Sequence, residues 1–179
     1  MATITGLTIE QFERLPDEVA HYRELVDGEL VDVSGNTAYH NSLRDLLVAL
    51  TLLHVAERGL GKIISEQEFD FDGNAHGPDV SFIGTDKLAL VNAGRRVQPF
   101  VPDLAIEIVS ENDTFKNVMK KVARYRKCGT KEVWVLSEDT RQAFVQSDER
   151  REILTDQDFF ESPQIPGFRI RLGELFDRA

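Results

Sequence analysis

Residues 102–125 read PDLAIEIVSENDTFKNVMKKVARY, and this stretch decides the fold because a strand pattern leads directly into a helix pattern. The segment PDLAIEIVS is mostly aliphatic and predicts a buried strand. The segment DTFKNVMKKVARYRKCG, at 113–129, predicts a helix with Asp113 as its N-cap and Gly129 as its C-terminal stop. A strand that is followed by a helix and then by the strand pattern KEVWVLS predicts an α/β fold.

The predicted strand has one aliphatic face and one face that carries acids. Side chains alternate across a strand, so one face is formed by Leu104, Ile106 and Ile108. The other face is formed by Asp103, Ala105, Glu107 and Val109. A charged glutamate in the middle of a core strand costs several kcal/mol unless it is paired or bound to a cation. Glu107 is therefore expected to have a positively charged partner.

An earlier segment, GPDVSFIG at 77–84, predicts a second strand with an acid at its start. Asp79 follows Pro78, and proline suits the first residue of a strand. If the two strands are neighbours, Asp79 and Glu107 come together. Two or three carboxylates that converge in a partly dry site form an oxygen-ligand site for Mg²⁺ or Mn²⁺.

The predicted helix brings a cation to the same place. Lys121 lies three residues after Val118 and four before Tyr125, so it shares their buried side. Lys120 lies about 200° round the helix from Val122, at ~100° per residue, and is expected to face solvent. A lysine beside a metal can orient water or stabilise phosphate charge. The same spacing also allows a purely structural ion pair between Glu107 and Lys121.

The remaining patterns surround this unit with hairpins and a long helix. The segment YRELVDGELVDVS at 22–34 predicts a hairpin about Asp27-Gly28, and NSLRDLLVALTLLHVAERG at 41–59 predicts a helix that ends at Gly59. Residues 62–84 predict two strands about a turn with glycine and asparagine. Because no repeat or linker interrupts the chain, we expect a single domain over residues 1–179.

The composition favours a globular protein and excludes several classes. Hydrophobic residues make up 41% and charged residues 29% of the chain, and no apolar run reaches the ~18 residues of a membrane helix. The formal net charge of -10 argues against broad non-specific binding to nucleic acid. The chain lacks a signal-peptide pattern and has one cysteine, Cys128, so we expect a cytoplasmic protein without a disulfide framework. Phosphate-loop, nucleophile-elbow and zinc patterns are also absent.

An ordered set of segments resembles the Uma-two family of endonucleases, within the restriction-endonuclease-like PD-(D/E)xK superfamily. The segments are YRELVDGELVDVS followed by His40, GPDVSFI, VPDLAIEIVS, KVARYRKCGTKEVWVLS and IPGFRIRL, and they cover about residues 22–172. The resemblance implies a mixed β-sheet flanked by helices, with an N-terminal β-hairpin. It also implies hydrolysis of DNA phosphodiester bonds, Mg²⁺ or Mn²⁺ as cofactor, and a homodimer.

The resemblance assigns roles to three residues. Asp79 matches the first acid of the superfamily motif and Glu107 the second, and both would be metal ligands. The usual lysine, two residues after the second acid, would fall at Val109 and is missing there. Lys121, on the following helix, matches a relocated position of this lysine, so we expect Asp79, Glu107 and Lys121 to be catalytic.

Four further residues are candidates for the site. Glu24 matches a recurrent family acid and belongs to the hairpin or to the cleft rim. His40, at the start of the long helix, contacts either a phosphate or only local groups. Asp103 is either a ligand or a strand-start residue. Asn117 stands where the family often has an acid.

Several acids and histidines outside this set carry weaker expectations. Glu66 and Glu68 alternate onto one strand face, and one of them could join the metal ligands. His54 is expected to be structural. His76 lies in the turn before GPD, and we expect it to be structural rather than part of the site.

Two departures from the family pattern keep a second function open. Ser110-Glu111 replaces the common Ser-Pro after the strand, and Asn117 replaces the helix acid. The alternative to a nuclease is a catalytically inactive binding or assembly protein on the same fold, because a fold does not by itself imply an activity.

Overall fold

The structure, a computed structural model, describes residues 6–33, 35–109 and 113–179. Its helices are α1 (Ile9–Glu13), α2 (Asp17–Ala20), α3 (Ala38–Arg58), α4 (Phe115–Lys127) and α5 (Leu172–Arg178), with a 3-10 helix at Thr85–Leu90. Its strands are β1 (Arg23–Val26), β2 (Glu29–Asp32), β3 (Gly61–Ser65), β4 (Glu68–Asp70), β5 (Ala75–His76), β6 (Val80–Gly84), β7 (Val97–Gln98), β8 (Leu104–Val109), β9 (Glu132–Ser137), β10 (Gln142–Gln146), β11 (Arg151–Leu154), β12 (Phe159–Glu161) and β13 (Arg169–Arg171). No helix in these ranges is long and apolar enough to cross a membrane.

The main sheet has six strands in the order β11-β10-β9-β8-β6-β3. The pair β8 and β9 is parallel, and its neighbours pair antiparallel. Parallel strands need a long crossover connection, which α4 supplies here. The mixed α/β fold predicted from residues 102–125 is therefore confirmed.

The two faces of β8 bury different partners, as strand alternation predicts. The aliphatic face, with Leu104, Ile106 and Ile108, packs in one cluster with α3 and α5. The opposite face, with Ala105, packs in a second cluster with Val122 and Tyr125 of α4. Glu107 belongs to this second face, so α4 covers the side of the sheet on which the acid lies.

A second sheet of five short strands, in the order β2-β1-β5-β4-β7, lies beside the main one. Its β1–β2 hairpin was predicted and is confirmed, with Asp27 at φ 52° and Gly28 at φ 80°. Positive φ at both turn residues is the geometry of a type I′ turn. The sheet packs on α1 and α2 through a small cluster of its own.

Three predictions about local structure need correction. Residues 62–84 form four strands rather than two, because β4 and β5 form a separate hairpin between β3 and β6. The N-cap of α4 is Thr114 and not Asp113, since the Thr114 hydroxyl accepts the N–H of Asn117. The stretch 85–101, which showed no periodicity, contains the 3-10 helix and β7.

Candidate active site

Asp79 lies immediately before β6 and faces the end of β8. The register Val80↔Ile106 makes Asp79 and Glu107 the next facing positions. Oδ2 of Asp79 accepts the backbone N–H of Ile108 at 2.7 Å, and Oδ1 lies 2.9 Å from Nε2 of His40. The first hydrogen bond ties the carboxylate to β8, and the second ties it to the first turn of α3.

Glu107 is a buried acid with two hydrogen-bonded partners from α4. Its side chain is 9% exposed. Oε1 accepts the hydroxyl of Tyr125 at 2.6 Å, and Oε2 lies 3.3 Å from Nζ of Lys121. Lys121 is half-buried on the sheet side of α4 while Lys120 is exposed, as their spacing predicted.

Glu24 of β1 is a third acid in the same group. Its Oε1 lies 3.0 Å from Nζ of Lys121, so the lysine bridges two carboxylates from two different sheets. Its Oε2 lies 2.9 Å from Nδ1 of His76. Glu24 is therefore a direct partner of the lysine rather than a hairpin residue alone.

The two acids that contact Lys121 have pKa values shifted in opposite directions. Burial disfavours the charge of Glu24, but Lys121 and the hydrogen bond from His76 outweigh it and hold the pKa of Glu24 at about 2. Burial raises the pKa of Glu107 to about 7, and the nearby Asp79 and Glu24 add to this against the attraction of Lys121. Burial also disfavours the charge of Lys121, yet Glu107 and Glu24 hold the pKa of Lys121 well above its ordinary value. Glu24 thus carries the counter-charge of the lysine, and Glu107 retains its proton up to near neutral pH.

His76 and Arg124 form a second layer behind Glu24. Nε2 of His76 lies 3.0 Å from Nη1 of Arg124, which can only donate, so the ring proton lies on Nδ1 and points to Glu24. Burial lowers the pKa of His76, which is consistent with this neutral form. Arg124 also donates to Oδ1 of Asp27 at 2.9 Å and thereby connects α4 to the hairpin turn.

The acids and the lysine open onto a cleft of about 1110 Å³ between the two sheets. Asp79, Glu107 and Lys121 line it together with Glu24 and His40. Four arginines in the described ranges also line the cleft, and each forms an ion pair with an acid. These arginines are Arg23 with Asp32, Arg44 with Glu66, Arg95 with Glu13, and Arg96 with Glu68.

Two of the sequence-based candidates lie apart from this group. Asp103 is buried at the start of β8, where Oδ1 lies 2.9 Å from the Nζ atoms of Lys87 and Lys131 and Oδ2 accepts the N–H of Gly84. Asn117 is exposed in the first turn of α4 and does not line the cleft. Ser110 and Glu111, where the chain departs from the family pattern, lie outside the described residues.

The other candidates also have definite positions. Glu66 and Glu68 line the cleft but are paired with Arg44 and Arg96. His54 lies near the far end of α3, with Nε2 3.0 Å from the carbonyl of Pro166. His76, which the sequence favoured only weakly, contacts Glu24 directly.

The donor set suits a magnesium-type ion held mainly by water. No group of three or more His, Cys, Asp or Glu in the described ranges is arranged to hold a metal ion by itself. Mg²⁺ is commonly held by only one or two carboxylates, with waters and substrate phosphates as its other ligands. A carboxylate has about four acceptor positions, and Asp79 and Glu107 each use two on protein donors. The remaining acceptor positions fit a cation at this pair.

A family model described as "Putative restriction endonuclease", Uma2, matches residues 9–173. The chain belongs to the Uma2 (Uma-two) family. The match spans the acids, the lysine and both sheets, so the resemblance carried by the sequence segments is confirmed. Uma2 proteins have the restriction-endonuclease-like nuclease fold, a group that generally uses divalent metal ions.

A solved crystal structure agrees with the fold of this Uma2 chain. A crystal structure of "a putative nuclease belonging to DUF820" from Anabaena variabilis ATCC 29413 is similar at a TM-score of 0.83 and 20% identity, over 96% of this chain and 98% of that one. A cryo-EM structure of a DrdV–DNA complex matches at a TM-score of 0.43 and 17% identity, over 92% of this chain and 12% of that one. A comparison with curated protein sequences gave no significant match.

Proposed function

We propose that this Uma2 protein is a divalent-metal-dependent endonuclease that hydrolyses DNA phosphodiester bonds. The observation that carries the proposal is the position of Lys121. Its Nζ lies 3.3 Å from Glu107 although the residue comes from a helix and not from the strand. Asp79 and Glu107 face each other across β6 and β8, so two acids and one lysine share one end of the sheet. Two acids and a lysine are the constituents of the PD-(D/E)xK motif.

Asp79 and Glu107 would hold the metal, which would be Mg²⁺ or Mn²⁺. When bound, such an ion polarises a phosphoryl oxygen and lowers the pKa of its water. The chain holds the two carboxylates in place before any ligand arrives. His40 and the N–H of Ile108 fix Asp79, and Tyr125 fixes Glu107. Such supporting contacts usually change metal affinity or activity by 10- to 100-fold when they are removed.

Lys121 would stabilise the charge that develops on the phosphate or orient the attacking water. The high pKa of Lys121 keeps it cationic throughout the neutral range. Glu24 keeps Nζ at the cleft even if Glu107 turns toward a cation, since the two carboxylates approach the lysine from different elements. We therefore include Glu24 in the site as a positioning residue for Lys121.

Cleavage of supercoiled plasmid with Mg²⁺ or Mn²⁺ tests the proposal. We expect wild type to nick or linearise the plasmid, and Asp79→Asn, Glu107→Gln and Lys121→Met each to lose at least about 100-fold in rate. His54→Ala, on the same helix as His40 but at its other end, should retain full activity. Equal low activity in wild type and Glu107→Gln would count against the nuclease. Linear product formed without a nicked intermediate would favour paired sites in a homodimer.

A second candidate function, a non-catalytic binding protein, is supported by the protein contacts that the two acids already make. All four carboxylate oxygens of Asp79 and Glu107 already have a protein partner. In this case Glu107 and Lys121 would be a structural ion pair. Titration calorimetry with Mn²⁺ separates the two functions. Binding that is lost in Asp79→Ala with Glu107→Ala, with an unchanged circular dichroism spectrum, favours the nuclease, and no binding in folded wild type favours the alternative.

A further inference from the structure

Tyr22 is an exposed aromatic residue at the edge of the cleft. Its side chain lines the cleft together with His21 and is 72% exposed. The other two tyrosines are used inside the protein: Tyr125 bonds Glu107, and Tyr39 donates to the carbonyl of Phe176 at 2.7 Å. Among the described residues, therefore, none buries the Tyr22 ring.

The backbone at Tyr22 has a strained conformation. Its φ of 58° lies in the left-handed region, which is rare for a bulky residue and costs of order 1–3 kcal/mol. The conformation is held because the Tyr22 carbonyl accepts the N–H of Val33 at 2.8 Å. The ring of His21 lies beside it, with centroids 3.8 Å apart. Strain that is kept at a cleft edge without burying the side chain points to a ligand.

Tyr22 is also close in the chain to Glu24, one of the acids of the site. It precedes Glu24 by two residues, which span at most about 7 Å of chain. Glu24 itself contacts Lys121. Bases in one strand of DNA are about 3.4 Å apart along the helix axis. The Cα atoms of Tyr22 and Glu24 are thus no further apart than about two nucleotide steps.

The charge of the cleft disfavours an intact duplex. Seven Asp and Glu side chains line the described part of it, against five Lys and Arg side chains. Duplex DNA carries one negative charge per about 1.7 Å, and proteins bind it chiefly by neutralising phosphates. A bound divalent ion would offset this excess of two acidic side chains. Stacking of an unpaired base on an aromatic ring adds about 1–3 kcal/mol per base to the binding of its strand and has no sequence requirement.

We propose that Tyr22, supported by His21, is a stacking platform for an unpaired base, and that the substrate is single-stranded DNA or a DNA end with a single-stranded overhang. This inference rests on the proposed nuclease function, since it names the substrate class of the same cleft. In this arrangement the backbone of the bound strand would continue into the cleft that Glu24 and Lys121 line. The paired arginines around the cleft then need to contact only one strand.

Fluorescence anisotropy with a short labelled strand, its duplex and the matching RNA tests the platform, in buffer with EDTA and again with Ca²⁺. Wild type should bind the single strand more tightly than the duplex. Tyr22→Asn removes the ring with a residue that tolerates the left-handed backbone. It should weaken single-strand binding about 5- to 100-fold and leave duplex binding unchanged. Tyr22→Phe should bind as wild type does.

The controls separate this inference from the nuclease proposal. Leu53→Ala removes another exposed apolar side chain, on α3, and should change neither binding constant. Equal weakening for single strand and duplex, no single-strand binding by wild type in either buffer, or equally tight Tyr22-dependent binding of RNA would each overturn the inference. Tyr22-dependent single-strand binding without any cleavage would reject only the nuclease. Cleavage with no preference that depends on Tyr22 would reject only the platform.

Discussion

Nζ of Lys121 lies 3.3 Å from Oε2 of Glu107, although the two residues are 14 positions apart and belong to a helix and a strand. The lysine also contacts Glu24 at 3.0 Å. One cation therefore contacts two buried acids, and the ionised Glu24 loses its counter-charge without it. We therefore expect Lys121 to contribute both to the stability of the fold and to the chemistry of the site. Single substitutions can distinguish these two contributions.

Lys121→Met should destabilise the protein by about 3 kcal/mol, because breaking a buried ion pair leaves an unpaired charge. Urea denaturation measures the loss. Lys120→Met is the matched control, since Lys120 is exposed on the same helix. It should change the free energy of unfolding by no more than about 0.5 kcal/mol. Similar losses in the two variants would mean that Lys121 does not stabilise the acids.

Tyr125→Phe should weaken Mn²⁺ binding, because it removes the hydroxyl that donates to Glu107 at 2.6 Å. The ring can stay in its stack with Phe71, whose centroid is 4.2 Å away. We expect a loss of about 1–3 kcal/mol in stability, since a buried acceptor loses its donor. Tyr39→Phe also removes a hydroxyl hydrogen bond, to the carbonyl of Phe176, and should lower stability without altering the dissociation constant for Mn²⁺. Calorimetric titration of both variants decides the point.

His40→Ala should reduce Mn²⁺ affinity about 10- to 100-fold, because His40 orients the Asp79 carboxylate at 2.9 Å. Burial disfavours its charge, but the hydrogen bond and the charge of Asp79 outweigh this and raise the pKa of His40. His54→Ala tests for a general effect of losing a histidine from α3. Unchanged affinity in His40→Ala would show that the backbone N–H of Ile108 alone holds Asp79.

Much of the central unit could be predicted because its signals are local. The turn at Asp27-Gly28 is specified by two residues that tolerate positive φ. The two faces of β8 follow from strand alternation, and the positions of Lys120 and Lys121 follow from helical periodicity. The facing of Asp79 and Glu107 then depended only on β6 and β8 being neighbours, which they are.

The parts that could not be predicted depend on contacts between distant residues or on very short elements. Strands β5 and β7 have two residues each, too few to show any periodicity. The contact of Glu24 with His76 joins residues 52 positions apart. Periodicity assigned Tyr125 to the core, which is correct for its ring, but no pattern reveals that its hydroxyl reaches Glu107. The wrong N-cap at Asp113 reflects two adjacent capping residues, of which Thr114 has the cap geometry.

Glu107→Gln should flatten the dependence of stability on pH between about 4.5 and 7. The pKa of Glu107 is raised from 4.5 to about 7, chiefly by burial. The stabilising contribution of the protonated acid is complete below pH 4.5 and is lost as pH rises through 7. The difference corresponds to about 3 kcal/mol. Glu24→Gln should behave in the opposite way, because the Glu24 carboxylate, with a pKa of about 2, contributes stability that grows as the pH rises from about 2 to about 4.5 and is complete above that.

Denaturation of the wild type and both variants from about pH 2 to about pH 8 measures these contributions. A wild-type curve that stays parallel to that of Glu107→Gln would mean that Glu107 ionises normally. The Glu24→Gln curve supplies the internal check, because its difference from wild type should grow as the pH rises from 2 to 4.5 and then stay constant.

Asp103→Asn should destabilise the fold but leave the site intact. Asp103 immediately precedes the strand that carries Glu107, yet its oxygens bind Lys87, Lys131 and the N–H of Gly84. Removing its charge leaves the half-buried Lys87 without its carboxylate, and we expect a loss of about 3 kcal/mol. Lys131→Met should lose less, because this lysine is half-exposed and Lys87 still compensates the acid. Mn²⁺ affinity should be unchanged in both variants. A fall in affinity with Asp103→Asn, measured where the variant is fully folded, would instead place this acid among the metal ligands.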